Sequence, residues 1–217
     1  MSQVATLRSA VRSGGLAAVV LAILACGTGV GTTQSALPTP IGTAAATALP
    51  TDPSTPIATT PAASSGVLVD QTLLDLLPVD VGGVVLTSDP ETAANIAADP
   101  ALAGSVASVA VGFAIAPGAS DGGDLAVAIV AQLLPGLYDD AFYASYRDSF
   151  DAAACRAAGG VEGTAQSDIA GRAVFIGTCS AGANTYHVYL KGHDAIISVT
   201  SVGSLRLGEQ VIAGLRE

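Results

Sequence analysis

Basic residues are scarce in this chain, with eight Lys and Arg against eighteen Asp and Glu. Arg8 and Arg12 precede an N-terminal apolar run. Without that leader, six basic residues face eighteen acidic ones, a net charge of −12. Nucleic acid and anionic lipid surfaces are held through clustered Lys and Arg that release counterions, so this balance argues against both as partners. Histidine is scarcer still: only His187 and His193 are present, and neither has ligand spacing to a cysteine. A Cys/His zinc site is therefore not indicated. The D-x-D-x-D-G series of a calcium loop is also missing; Asp121-Gly122-Gly123-Asp124 reads as a tight turn. No cofactor is expected. Only three cysteines occur, Cys26, Cys155 and Cys179, and there is no fixed-period repeat.

What is present begins with that leader. Arg8 and Arg12 are the only charges before Asp52, and Gly14 to Ala25 contains Gly, Leu, Ala, Val and Ile alone. A basic head followed by an apolar core of this length is the pattern of an export signal, and Ala25 is the small residue that a signal peptidase accepts before its cut. Cys26 follows directly. Ile23-Leu24-Ala25-Cys26 resembles the lipobox of bacterial lipoproteins, although Leu24 stands where that family more often has a small residue. The resemblance implies residues 1–25 as a lipoprotein signal peptide. It also implies acylation of the Cys26 thiol, which anchors the remainder on the outside of the bacterial cell membrane. Two other readings stay open: Cys26 as an incidental thiol beside an ordinary cleavage site, and Gly14 to Gly31 as an uncleaved span. Both leave the basic head inside and the rest of the chain extracytoplasmic.

Residues 26–65 are dominated by Thr, Ala, Pro, Gly and Ser, as in "LPTDPSTPIATTPAASSG". Proline removes backbone donors, and Thr and Ser compete for local hydrogen bonds, so neither helix nor sheet gains enough to form. This composition predicts a disordered, semi-stiff tether that holds a domain away from a membrane.

Residues 66–217 suffice for one extracytoplasmic domain with a core of its own. The pattern predicts a short strand over Val81 to Thr87. Asp89-Pro90-Glu91 reads as a cap, a first-turn proline and an acid that suits the dipole, opening a helix to about Ala98. Asp99-Pro100 then starts a short turn. "VASVAVGFAIA" and "LAVAIVAQL" alternate as a hairpin with one face buried. The small residues Ser108, Ala110, Gly112 and Ala114 on the other face fit either close backbone approach or a solvent-facing floor. One long helix is expected near Leu137 to Ala158, with Phe142, Tyr146, Phe150 and Ala153 toward the sheet and Cys155 on nearly the opposite arc. "GRAVFIGTC", "NTYHVYLKG" and "DAIISVTSV" read as three more strands. Ser204 is expected to cap a final helix that turns Leu207, Val211, Ile212 and Leu215 inward. The fold class is α+β: a largely antiparallel sheet of about five to six strands, with one long central helix and a C-terminal helix packed on it.

In an oxidising compartment, Cys155 and Cys179 form an even pair once Cys26 is assigned to lipid, so a disulfide is expected between them. Gly177-Thr178-Cys179-Ser180-Ala181-Gly182 superficially resembles a nucleophile elbow, but it joins strand to strand and reads as a hairpin turn. His187, mid-strand, is expected as a half-buried packing residue, and His193-Asp194 as a turn. Nothing in the sequence nominates a nucleophile, a base and an oxyanion site together. The expectation is a lipid-anchored, non-enzymatic binding domain for an unknown protein or small-molecule ligand. Its alternative is a small hydrolase using His187 or His193.

Overall fold

A computed structural model describes residues 66–117 and 123–216. The leader, Cys26, the tether and Asp121-Gly122 lie outside the described residues. Among those described, no helix is long and apolar enough to cross a membrane.

The first strands are short: β1 (Leu68–Val69), β2 (Asp80–Val81), β3 (Val84–Val85) and β4 (Thr87–Ser88). Helix α1 spans Pro90–Ala97, and β5 (Val106–Ile115) and β6 (Leu125–Leu133) follow. Helix α2 spans Asp140–Ala154. Then come β7 (Val161–Ile169), β8 (Arg172–Cys179), β9 (Asn184–Leu190), β10 (Ala195–Val202) and helix α3 (Leu207–Ala213). Eight strands form one sheet in the order β1-β5-β6-β10-β9-β8-β7, with β4 also on β5. Only the β1–β5 pairing is parallel.

The sheet is covered on both faces, giving three layers. On one face Ala110, Val130, Ile197 and Val199 meet Leu73 and Leu76 of a 3-10 turn, Val81 and Val84, and Leu207, Val211 and Ile212 of α3. On the other, Val109, Val111, Ile129 and Ile196 meet Ile96 of α1 and Tyr143 and Phe150 of α2. The hairpin of β5 and β6 is thus buried on both faces, not one. The small residues of β5 are there for close approach: a Cβ on Gly112 would clash with the Leu86 side chain and lie 3.5 Å from Leu74.

The cap of α1 is as expected, with Asp89 accepting from the Thr92 amide at 3.0 Å, and Asp99 likewise caps the turn at Pro100–Leu102. Besides the eight strands of the sheet, where five to six were expected, and the second buried face of the hairpin, four more expectations need correction. The single strand over Val81 to Thr87 is instead a tight hairpin of β2 and β3, because Gly82 and Gly83 both adopt positive φ (59° and 79°), the pair that a two-residue turn with matching twist requires. Helix α2 is shorter than 137–158, since Asp139 caps it by accepting from the Phe142 amide at 2.7 Å and a separate 3-10 turn follows Cys155. Ser204 does not cap α3; Asp124 accepts from the Leu205 amide before it, and Gln210 reaches back to the Leu205 carbonyl at 2.7 Å. Finally, β7 was not expected at all. Its sequence, "VEGTAQSDI", has no apolar face, and nearly all of it is exposed at the sheet's edge.

Candidate functional site

Strand periodicity explains why polar side chains gather under α2. Thr185 and His187 are two apart on β9 and share a face, Ser198 of β10 pairs with His187, and Gly177 of β8 pairs with Thr185. From above, α2 brings Tyr146 and Asp151. His187 Nε2 lies 2.8 Å from Asp151 Oδ1, and His187 Nδ1 lies 2.9 Å from Ser198 Oγ. Tyr146 OH is 3.2 Å from Ser198 Oγ, and the Thr185 hydroxyl donates to the same Asp151 oxygen. Gly177 makes room for the carboxylate, since a Cβ there would stand 2.5 Å from Asp151 Oδ2.

One proton arrangement satisfies every member. A carboxylate only accepts, so His187 donates from Nε2 to Asp151; with a neutral ring, Nδ1 accepts from Ser198, which in turn accepts from Tyr146. Burial is nearly complete: His187 and Ser198 are 0% exposed and Asp151 is 5% exposed. The Phe150 and Tyr146 rings stand edge-on to the His187 ring at 5.0 and 6.4 Å. Burial pushes the Tyr146 phenol above its ordinary pKa, with the bond to Ser198 opposing the rise.

Asp, His and Ser in series invite comparison with a hydrolytic triad. The setting differs in two ways. Ser198 is closed off by α2, and it lies mid-strand between β6 and β9 in a continuous ladder, where neighbouring amides are committed to strand pairing instead of forming an oxyanion hole. What the network does is hold α2 on two adjacent strands, β9 and β10, at once. A disulfide between Cys155 and Cys179, with Cα atoms 5.1 Å apart, holds the same helix at its end. Cys155 follows the last helical residue, so the bridge pins the helix end to the sheet.

Among the described residues, cavities lie on both sides of α2. On the α1 side, a cavity of about 200 Å³ is lined by Ile96, Val109, Ile129, Ala131, Phe142 and Phe150, with Ser105, Ser145, Ser149 and Tyr146 as its polar members. No charged residue among those described borders it. On the β7 side, a cavity of about 340 Å³ is bordered by Arg147, Asp148 and Asp151 of α2, Thr164 and Gln166 of β7, and Phe175 of β8. Arg147 lies flat on Phe175, its guanidinium 3.6 Å from the ring centre.

Of the residues singled out from sequence, His187 is fully buried and hydrogen-bonded, where a half-buried packing residue was expected. His193 is exposed on its turn, and the neighbouring Asp194 accepts from the Tyr189 hydroxyl at 2.8 Å. The segment after Gly177 is a strand-to-strand turn closed by the Cys179 amide on the Ala183 carbonyl at 2.8 Å, as expected. Among the described residues no three His, Cys, Asp or Glu side chains cluster as metal ligands. Asp151 was missed. Its signal was available: it follows Phe150 and precedes Ala153 and Ala154, so an acid falls at the edge of the apolar arc. Compared with protein-family models, with curated proteins and with solved structures, the chain matches none.

Proposed function

We propose that this chain is a bacterial envelope lipoprotein, anchored through Cys26, whose folded part is a non-enzymatic binding domain for a small, neutral, apolar ligand. The observation that carries the reading is the cavity between α1 and α2. Apolar cavities of about 150 Å³ stay dry and accept hydrophobic molecules, and this one is larger and open at one side. Its polar members are hydroxyls alone, which suit an alcohol or ester head and offer no cation to a carboxylate. A single alkyl chain with an uncharged head fits that lining. The rigid attachment of α2 by the disulfide and the His187 network keeps the cavity formed without ligand.

Calorimetric titration of the full chain in detergent with decanol and with decanoate tests this. Decanol should bind at least tenfold more tightly, and Ala131→Leu, which fills the cavity, should abolish binding while leaving the fold intact. Equal affinities, or binding unaffected by Ala131→Leu, would contradict it. The second reading, a hydrolase using His187, is favoured by the contact between His187 and Ser198. It requires Ser198 to become exposed, and predicts ester hydrolysis that His187→Gln lowers by roughly 10²-fold or more.

A further inference from the structure

Strand β7 ends the sheet, and among the described residues its outer edge pairs with nothing. An edge of nine residues presents a row of free amides and carbonyls, which proteins ordinarily blunt with lysine, proline or an inward charge. Between Val161 and Ile169 there is neither lysine nor proline, and the one irregularity lies at the start, between Val161 and Gly163. The two charged residues of the strand, Glu162 and Asp168, are both acidic. A second copy laid antiparallel about a two-fold axis at Ala165 would set Glu162 against Asp168 on both sides, which is destabilising. A basic partner is favoured instead.

The polar cavity opens beside this same edge. Thr164 and Gln166 point to its side of the sheet, and Asp148 and Asp151 descend from α2. In Asp151 both hydrogen-bond donors, His187 and Thr185, go to Oδ1, and Oδ2 accepts from no described residue. A carboxylate oxygen that takes no hydrogen bond from the described residues and opens onto a cavity is a place for a cationic group. Arg147, the one base at the cavity, is held on Phe175 and by the Tyr143 carbonyl at 3.4 Å.

We propose that β7 accepts an extended segment of a partner protein as a further strand, and that a lysine or arginine of that segment enters the cavity toward Asp148 and Asp151 Oδ2. Backbone pairing would supply affinity and the cavity would supply the choice of side chain. Adjacent strands lie about 4.8 Å apart, within reach of a long basic side chain crossing β7.

The test uses the full chain in detergent and an acetylated, amidated nonapeptide of alternating threonine and valine with a central lysine. Two further peptides carry glutamate or norleucine at that place. The lysine peptide should slow amide hydrogen exchange across residues 161–169 at least tenfold and bind at least tenfold more tightly than the other two. Asp148→Lys, a change at an exposed position, should reverse the order of the lysine and glutamate peptides. No slowing at millimolar peptide overturns the proposal. So does equal binding of all three peptides. Slowing that grows with protein concentration alone would assign the edge to a second copy and overturn it too.

Discussion

Asp151 is a largely buried carboxylate, and what makes its position tolerable is that His187 and Thr185 both donate to it. Removing it leaves a buried imidazole nitrogen without a partner and the Thr185 hydroxyl with only the long bond to the Gly177 carbonyl at 3.4 Å. Asp151→Ala should therefore destabilise the domain by about 3 kcal/mol, read from urea unfolding midpoints. Tyr143 presents the opposite case: its hydroxyl is buried with no hydrogen-bond partner among the described residues. Tyr143→Phe removes an unsatisfied group and should be neutral, or stabilising by up to about 1 kcal/mol, in the same assay. Both Tyr143 and Tyr146 have phenols raised above 10.0 by burial. The folded state thus holds these protons more tightly than the unfolded state. Their contribution is complete below about pH 10 and is lost as pH rises toward the folded values. The urea midpoint should fall steeply across that alkaline window, and less steeply in Tyr146→Phe.

At the scale of elements, α2 carries most of the account. Its start at Asp139 and its end before Cys155 were missed by the wider bounds 137–158, but its existence and its apolar arc were legible because local chemistry dictates them. The arc's true centre was not. Phe142, at one rim, borders the apolar cavity, and Asp151, at the other, borders the polar one, because the helix settles by side-chain fit and not by hydrophobicity alone. A similar limit explains β7, which is a strand only because β8 offers it a ladder; its own residues carry no period. The hairpin at Gly82-Gly83 was hidden for the contrary reason, since four strand residues are too few to show alternation. The disulfide was readable from cysteine arithmetic. Replacing Cys155 and Cys179 together by alanine should cost roughly 3 kcal/mol in chain-entropy terms, without loss of the sheet. Thermal unfolding followed by circular dichroism would register this as a lowered midpoint with the strand signal retained.

For the whole molecule, the proposal joins an anchor, a tether and a three-layer domain whose uncharged cavity lies beside the helix fastened by the disulfide. Cys26→Ser should release the chain from membranes or leave an unprocessed precursor, visible by fractionation and intact mass; membrane retention at the mass of the unmodified mature chain would remove the anchor from the account. Methyl NMR reports whether an apolar ligand enters the cavity between α1 and α2. With isoleucine δ1 methyls labelled, titration with decanol should shift Ile96 and Ile129, which line the cavity, and leave Ile197, in the core on the opposite face of the sheet, unmoved. If Ile96 and Ile129 stay in place, or Ile197 moves as far as they do, the domain does not bind its ligand there.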